Sequence, residues 1–207
     1  MNSAVLERIR VVEMGLAPYE PTLQAMRDFT ARRMADTPDE LWLLEHPPVY
    51  TLGLAADAAH GPEAGGAIPV LQVERGGEIT YHGPGQVVLY TLVDLARRGI
   101  KVKQFVAMLE QSVIDLIGSR AERKPGAPGI YVGGAKVAAL GIRVSKGRAY
   151  HGLSLNVDMD LAPFAAIDPC GYPGLRVTQT RDLGIAESKE ALGRKLAGLL
   201  IGNLERA

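Results

Sequence analysis

The sequence is poor in cysteine, has no excess of either charge and lacks any long apolar run. Its 207 residues include one cysteine, Cys170, so an internal disulfide framework is excluded and a reducing, cytoplasmic setting is expected. Lysine plus arginine and aspartate plus glutamate both number 23, so no overall basic field favours nucleic acid or anionic lipid. No stretch approaches the ~20 apolar residues of a membrane-spanning helix. These absences predict a cytoplasmic globular protein that binds neither nucleic acid nor membrane.

Several common catalytic motifs are also missing. The single cysteine and four scattered histidines show no zinc-type spacing such as C-x-x-C or H-x-x-x-H. No G-x-S-x-G elbow, Walker A sequence or dinucleotide fingerprint is present. Residues 1–15 alternate charged and apolar side chains and lack the apolar core of a signal peptide. We therefore expect chemistry that uses no metal and no nucleotide cofactor.

Hydrophobic periodicity predicts an α+β protein with a mixed sheet and flanking helices. Apolar residues at helical spacing predict helices over residues 21–35 and 102–117 and at the C-terminal end. Two β-rich runs, residues 130–144 and 148–157, flank the sequence Ser145-Lys146-Gly147 and predict a hairpin. No repeat or composition shift marks a domain boundary, and 47% hydrophobic content can fill one core. We therefore predict a single domain over residues 1–207.

The most informative segment is residues 74–86, which read E-R-G-G-E-I-T-Y-H-G-P-G-Q. Four glycines lie among an arginine, two glutamates, a tyrosine and a histidine, between two apolar runs. Glycines let backbone amides approach a ligand closely, and consecutive amides can form an electropositive nest. A tight loop that merely closes a sheet needs the turn residues but has no use for the others. The segment therefore predicts a ligand-binding loop.

Two residues are candidates for covalent or acid–base chemistry. Cys170 lies in the segment D-P-C-G-Y-P-G, in the kind of loop that often displays reactive groups, although an inert thiol fits this position equally well. Lys136 is the only charged residue between Ile130 and Ile142. A lysine among apolar neighbours suits a reactive amine, and a strand-end lysine that reaches water is the usual alternative. The residues alone leave both questions open.

The four histidines differ in their settings. His60 lies in a featureless loop that predicts a solvated side chain, and His46 precedes two prolines, which suits a turn or a place near the site. His82 belongs to the glycine-rich segment and is expected to bond a substrate or the loop backbone. His151 alternates with two leucines and is predicted to be a hydrogen-bonded core histidine.

The run R-G-G-E-x-T-Y-H-G-P-G-Q resembles the signature of the lipoyl(octanoyl) transferases, octanoyl-[acyl carrier protein]:protein N-octanoyltransferases of the biotin/lipoate protein ligase-like superfamily. The K-x-A-x-x-G-I run from Lys136, the P-C-G segment at Cys170 and the V-T-x-x-x-D-L-G run over residues 177–184 are similar to further family motifs. The resemblance covers most of the chain. It implies the fold of the biotin and lipoate protein ligase catalytic domain.

The same resemblance implies an acyltransferase that needs neither ATP nor metal. Such an enzyme moves an octanoyl (or lipoyl) group from acyl carrier protein to a lysine of lipoyl domains. The implied acceptors are the lipoyl domains of 2-oxoacid dehydrogenase E2 subunits and the glycine cleavage H protein. The reaction is the first step of protein lipoylation.

Individual residues take roles from the resemblance. Cys170 would carry the acyl group as a thioester, and Lys136 would pair with it in a catalytic dyad. The implied substrate-binding positions are Arg75, Gly76, Gly77, Glu78, Ile79, Thr80, Tyr81, His82, Ala139, Leu140, Gly141, Gly152, Leu153 and Ser154.

The predicted hairpin gives these positions a register. If Ser145-Lys146-Gly147 is a three-residue loop, Val144 pairs with Arg148, and Lys136 faces Asn156. Strand alternation then places Lys136 on one face with Ala138, Leu140 and Ile142. With Gly152 as a gap opposite, that face would form a floor for an acyl chain.

Two other functions remain open from the sequence. An ATP-dependent lipoate or biotin protein ligase would share the fold, although the S-G-G-G-type and G-R-G-R-x-type loops of those enzymes are absent here. A non-catalytic protein that binds an acyl chain or its carrier would leave Cys170 and Lys136 without chemical roles.

Overall fold

A computed structural model describes residues 9–57, 60–62, 65–168 and 174–207. Within these ranges the chain forms four α-helices, α1 (Tyr19–Arg32), α2 (Leu95–Arg98), α3 (Val102–Ile117) and α4 (Lys189–Glu205). The strands in the same ranges are β1 (Arg10–Leu16), β2 (Glu40–Glu45), β3 (Val49–Leu52), β4 (Val70–Gln72), β5 (Ile79–His82), β6 (Gln86–Asp94), β7 (Ala121–Lys124), β8 (Ala127–Val132), β9 (Ala135–Ser145) and β10 (Arg148–Asn156). No helix in the described ranges is both long and apolar enough to cross a bilayer.

The strands form a large sheet and a small one. The large sheet has seven strands in the order β1-β2-β6-β10-β9-β8-β7, and the small sheet has the order β4-β3-β5. Strands β1 and β2 are parallel, as are β3 and β4, whereas the other neighbouring strands are antiparallel. The predicted α+β class with a mixed sheet and flanking helices is therefore confirmed.

Three apolar clusters hold these layers together. Helices α3 and α4 cover one face of the large sheet, where Phe105 and Leu196 are fully buried in the largest cluster. Helix α1 packs Leu23 and Met26 against the opposite face. A third cluster joins the small sheet to the chain after β10, and it contains Tyr81 and Phe164. The second cluster also includes a residue of β3, so the small sheet is fixed against the large one, and a cavity lies between them.

The hydrophobic pattern predicted α3 with its observed bounds. Its apolar stripe faces the sheet, Lys101 N donates to Gln104 Oε1 over 2.9 Å at the first turn, and Gly118 follows the last turn with a φ of 90°. Helix α1 begins two residues earlier and ends three residues earlier than predicted. Directly after its end, the Arg33 guanidinium is buried in an ion pair with Asp39, and Arg98 also pairs with Asp39 at 2.6 Å.

The predicted register of the β9–β10 hairpin is wrong by one residue. Ser145 pairs with Arg148, so the turn contains only Lys146 and Gly147. Their φ angles are 49° and 80°, and positive φ at both positions is the geometry of a type I′ turn, whose twist matches paired strands. Consequently Gly152 lies opposite Gly141, and Leu153 lies opposite Leu140.

A bulge in β9 also overturns the predicted alternation around Lys136. Ile130 pairs with Ala138 whereas Tyr131 pairs with Lys136, so Val137 is an extra residue on this strand. Val137 and Ala138 both pack into the cluster beneath α3 and α4. Lys136 instead borders the cavity, together with Ala139 and Gly141. The bulge therefore turns Lys136 away from the apolar core and towards the cavity.

Gly152 should not tolerate a side chain, because β6 approaches it too closely. A Cβ at this position would lie 2.1 Å from Leu89 O. We expect Gly152→Ala to lower the free energy of unfolding by about 2 kcal/mol or more, through displacement of β6. The matched control is Gly198→Ala in α4, where a Cβ would meet no described atom within 4 Å. There alanine should raise the free energy of unfolding by about 0.5 to 1 kcal/mol.

Urea unfolding of both variants measures the two effects. If Gly152→Ala is as stable as wild type, β6 moves without a cost in stability, and Gly152 then serves only the cavity.

Candidate active site

A cavity of about 280 Å³ lies between the small sheet and strands β9 and β10. Its volume is near the lower end of the range for ligand pockets, about 300 to 1,000 Å³. Thirteen predicted site residues border it, namely Arg75, Gly77, Glu78, Ile79, Thr80, His82, Lys136, Ala139, Leu140, Gly141, Gly152, Leu153 and Ser154. The fold therefore brings the glycine-rich segment, Lys136 and both hairpin segments to one place.

Two predicted site residues that the structure describes, Gly76 and Tyr81, are not among those that border the cavity. Gly76 donates its amide to Ile142 O over 3.0 Å, and it anchors the loop to β9. Tyr81 packs in the third apolar cluster, edge-on to Phe164 at 5.4 Å between ring centroids. Cys170 lies outside the described residues.

Glycines allow the ligand-binding loop to touch its neighbours directly. A Cβ at Gly53 would lie 2.1 Å from Gly77 O, and a Cβ at Gly141 would lie 2.8 Å from Gly76 O. Gly77 itself has a φ of 84°, which glycine adopts most readily. The loop is thus clamped between β9 and the end of β3 with no side chains in between.

Arg75 places a fixed positive charge at the cavity wall. Its guanidinium donates to Thr51 O at 2.7 Å, to Thr51 Oγ1 at 2.8 Å and to Gly76 O at 3.0 Å. Only 8% of the residue is exposed. Because arginine stays protonated, this charge opposes protonation of the histidines that share the cavity.

Lys136 is buried, with 4% of its surface exposed. Its Nζ donates to Pro128 O at 3.2 Å and lies 5.3 Å from the centre of the Tyr131 ring. Its backbone accepts a hydrogen bond from Thr178 N at 2.9 Å and donates to Arg176 O at 2.8 Å. The chain that follows Cys170 in the sequence is therefore bonded to Lys136.

A chain of hydrogen bonds fixes the tautomer of His82. Asn156 Nδ2 donates to Thr178 O at 3.0 Å, which turns its Oδ1 towards Gln86 Nε2 at 2.9 Å. Gln86 Oε1 therefore faces His82 Nδ1 at 2.6 Å, so Nδ1 carries the proton. Burial lowers the pKa of His82 to about 3. His82 is thus neutral, and its Nε2 is a hydrogen-bond acceptor.

His46 belongs to a second polar chain behind the cavity. Its Nδ1 donates to Ala17 O at 2.6 Å, so its Nε2 accepts from the Tyr90 hydroxyl at 2.7 Å. The residue is fully buried, and burial lowers the pKa of His46 to about 4. This histidine positions Tyr90, which borders the cavity.

His151 is the cavity residue that the sequence patterns missed. It is buried as predicted, with 1% exposed, but neither ring nitrogen has a hydrogen-bond partner among the described residues. Its φ is 61°, a left-handed conformation that costs a non-glycine residue about 1 to 3 kcal/mol inside a structure. The ring stacks on Tyr150 at 5.2 Å and lies edge-on to Tyr90 at 5.8 Å.

The left-handed conformation explains why alternation misplaced this side chain. Leu153 and Leu155 point into the cluster beneath α3 and α4, and a regular strand would send His151 the same way. Instead it joins Tyr90 at the cavity, on the opposite face of the sheet. Burial and the Arg75 charge lower the pKa of His151 to about 3, so the ring is neutral. A polar residue at a core position of the pattern was the available signal.

Comparisons with known proteins show the family to which the chain belongs. The lipoyl protein ligase A/B catalytic domain family matches residues 19–197. The octanoyltransferase of Thiobacillus denitrificans is 60% identical over 193 residues, which are 92% of this chain and 88% of that protein. The octanoyltransferase of Dechloromonas aromatica is 56% identical over 199 residues, with 95% and 97% coverage.

Solved structures show the same fold at low sequence identity. A lipoate-protein ligase A bound with ATP matches with a TM-score of 0.77 at 14% identity, covering 96% of this chain and 86% of that one. The biotin protein ligase from Aquifex aeolicus in complex with biotin and ATP has a TM-score of 0.57 at 10% identity, with 95% and 71% coverage. The fold is therefore that of the lipoyl protein ligase A/B catalytic domain. Within this class the chain belongs to the octanoyltransferases.

The neutral histidines should make the stability of the protein depend on pH. His46 has a pKa of about 4 when folded and about 6.5 when unfolded, so the unfolded chain binds more protons between these values. Its contribution is complete above pH 6.5 and is lost as the pH falls towards 4. Each such histidine adds a slope of about 1.4 kcal/mol per pH unit in this window.

We expect His46→Gln to reduce the dependence of the unfolding free energy on pH by about 1.4 kcal/mol per pH unit between pH 4.5 and 6.5, whatever its effect at pH 7.5. Urea unfolding at a series of pH values measures this dependence. If the variant keeps the wild-type dependence, folding does not lower the pKa of His46.

Proposed function

We propose that this octanoyltransferase works through a thioester on Cys170, with Lys136 as its acid–base partner. The Cys170 thiolate attacks the thioester carbonyl of octanoyl-acyl carrier protein. A new carbon–sulfur bond forms, the bond to the phosphopantetheine sulfur breaks, and the leaving sulfur takes a proton from Lys136. The amine of a lipoyl-domain lysine then attacks octanoyl-Cys170. Its proton passes to Lys136, the amide leaves and the thiolate is restored.

The observation that carries this proposal is that buried Lys136 borders the same cavity as residues on either side of Cys170 in the sequence. Phe164 precedes the cysteine, Val177 follows it, and both border the cavity with Lys136. Val177 also forms a parallel bridge with Lys136. Because Phe164 and Val177 both border the cavity, we propose that Cys170, which lies between them in the sequence, acts at this cavity.

Backbone amides beside the cavity could stabilise the tetrahedral oxyanion that forms in each step. Gly76 N is already bonded to Ile142 O, so it is not free to bind an oxyanion. Gly77, which borders the cavity, and the residues beside Cys170 remain the proposed donors.

The proposed chemistry requires neither ATP nor metal. Exchange of one thioester for another is nearly isoenergetic, and formation of an amide from a thioester is favourable. We propose acyl carrier protein as the donor. The proposed acceptors are the lipoyl domains of 2-oxoacid dehydrogenase E2 subunits and the glycine cleavage H protein. A related archaeal lipoate protein ligase has been solved in a study of its E2 lipoyl domain, which supports this class of acceptor.

The intermediate can be tested by mass spectrometry of the intact protein. Incubation with octanoyl-acyl carrier protein alone, without ATP, should add one octanoyl group that hydroxylamine removes. Cys170→Ala should acquire none and should not octanoylate a lipoyl domain. Transfer by Cys170→Ala would overturn the proposal, and dependence on ATP would indicate an adenylate-forming ligase instead. Stable binding of the donor without transfer would indicate a carrier-binding protein.

The dyad can be tested through the reactivity of the thiol. An isolated cysteine has a pKa near 8.5, and a neighbouring ammonium favours the thiolate. Lys136→Met keeps much of the bulk of the side chain but removes its charge. We expect it to shift the pH midpoint of iodoacetamide alkylation of Cys170 upward by about one unit or more. Lys136→Arg keeps a charge but cannot exchange a proton, so it should preserve thiol reactivity while losing transfer to the amine.

An unchanged pH midpoint for alkylation of Cys170 in Lys136→Met would show that the two side chains do not interact. Lys136 would then be a structural lysine of the cavity wall.

A further inference from the structure

The cavity has two chemically different ends. At one end, Lys136 and Asn156 both bond to Thr178, through its amide and its carbonyl respectively. At the other end lies His151, five residues from Asn156 along β10. With a rise of about 3.3 Å per residue, these positions are roughly 16 Å apart along the strand. An extended octanoyl chain that starts beside Lys136 is shorter than this distance.

His151 is the polar feature of the distant end. Its imidazole is 1% exposed and borders the cavity, yet both ring nitrogens lack a hydrogen-bond partner among the described residues. A neutral imidazole offers one donor and one acceptor. Buried polar groups are normally satisfied by protein, water or ligand, so an unpaired ring that faces a cavity indicates a polar ligand atom or a bound water there.

The backbone supports a functional reason for this placement. His151 is held at a φ of 61° within a strand, and the only other non-glycine residue with positive φ in the described ranges is Lys146 in the β9–β10 turn. The strain at Lys146 is explained by the turn. The strain at His151 has no such local reason, and strained residues cluster at ligand sites.

We propose that His151 forms a polar subsite at the distal end of the acyl cavity, which accepts acyl chains that carry a hydroxyl-type group beyond the eighth carbon. This inference rests on the proposed function, because it takes the acyl carbonyl to lie beside Lys136. An octanoyl chain ends before the subsite and leaves its hydration intact. A methyl group as the ninth carbon displaces that hydration without replacing its hydrogen bonds, whereas a hydroxyl at the same position replaces them.

The matched ligands are nonanoyl and 8-hydroxyoctanoyl thioesters of pantetheine, which have the same number of heavy atoms. The measurement is kcat/KM for acylation of Cys170, with the octanoyl thioester as reference. Wild type should favour 8-hydroxyoctanoyl over nonanoyl. In His151→Phe this ratio should fall about tenfold, the rate equivalent of one buried hydrogen-bonding group left unpaired.

Two further variants keep the test decisive if phenylalanine disturbs folding. His151→Gly removes the ring and suits the left-handed backbone, and it should also lose the preference while accepting nonanoyl faster. Lys146→Gly is the matched control, because it relieves the same kind of backbone strain away from the cavity. It should keep the wild-type ratio.

An unchanged ratio in both His151 variants would overturn the subsite. If no donor acylates wild type, the proposed function fails instead, and the subsite is then tested by binding alone. Added 8-hydroxyoctanoate should shift the ring nitrogen resonances of His151 in ¹⁵N NMR spectra, and nonanoate should not. The absence of a shift with 8-hydroxyoctanoate would overturn the subsite independently of catalysis.

Discussion

Direct backbone contact between the glycine-rich loop and β9 is the constraint on which the site depends. Gly76 N donates to Ile142 O at 3.0 Å, and the absence of side chains at Gly141 and Gly53 lets the loop carbonyls approach within contact distance. This contact closes one wall of the cavity and holds Arg75 against Thr51. A side chain at either neighbouring glycine would lift the loop, and the cavity would open to solvent. These glycines therefore allow the loop to pack directly on its neighbours, and this packing shapes the cavity that a ligand would enter.

Two irregularities of the strands aim the functional side chains. The bulge at Val137 turns Lys136 from the core to the cavity, and the left-handed backbone at His151 does the same on β10. Both cost stability, since a bulge leaves a residue unpaired and a positive φ crowds the Cβ. They lie on neighbouring strands and open onto the same cavity. Regular strands would have placed both polar side chains beneath α3 and α4, where burial without partners is far more costly.

The sequence predicted the parts of this protein that depend on hydrophobic period and residue type. The stripe of α3 gave its bounds, and the loop composition identified a ligand-binding segment that does border the cavity. The register of the hairpin could not be predicted, because it depends on a φ of 49° at Lys146, and lysine has no preference for that conformation. The residues predicted to share a face with Lys136, and the predicted orientation of His151, were wrong for a related reason. The first depends on one unpaired bulge residue and the second on one backbone dihedral angle. Tertiary packing selects both features, and the alternation of apolar and polar residues does not reveal them.

The electrostatics of the cavity follow from its depth. Burial keeps His82 and His151 neutral with pKa values of about 3, and the Arg75 charge opposes protonation of both. Both imidazoles are buried, so this inner part of the cavity wall is screened from bulk solvent. A thioester held there is protected from hydrolysis, whereas an amine carried in by a protein acceptor enters with its own binding energy. Exclusion of water thus gives a physical basis for the choice of amide formation over hydrolysis in the proposed reaction. The same exclusion makes every unpaired polar atom of the wall a determinant of which acyl chains fit.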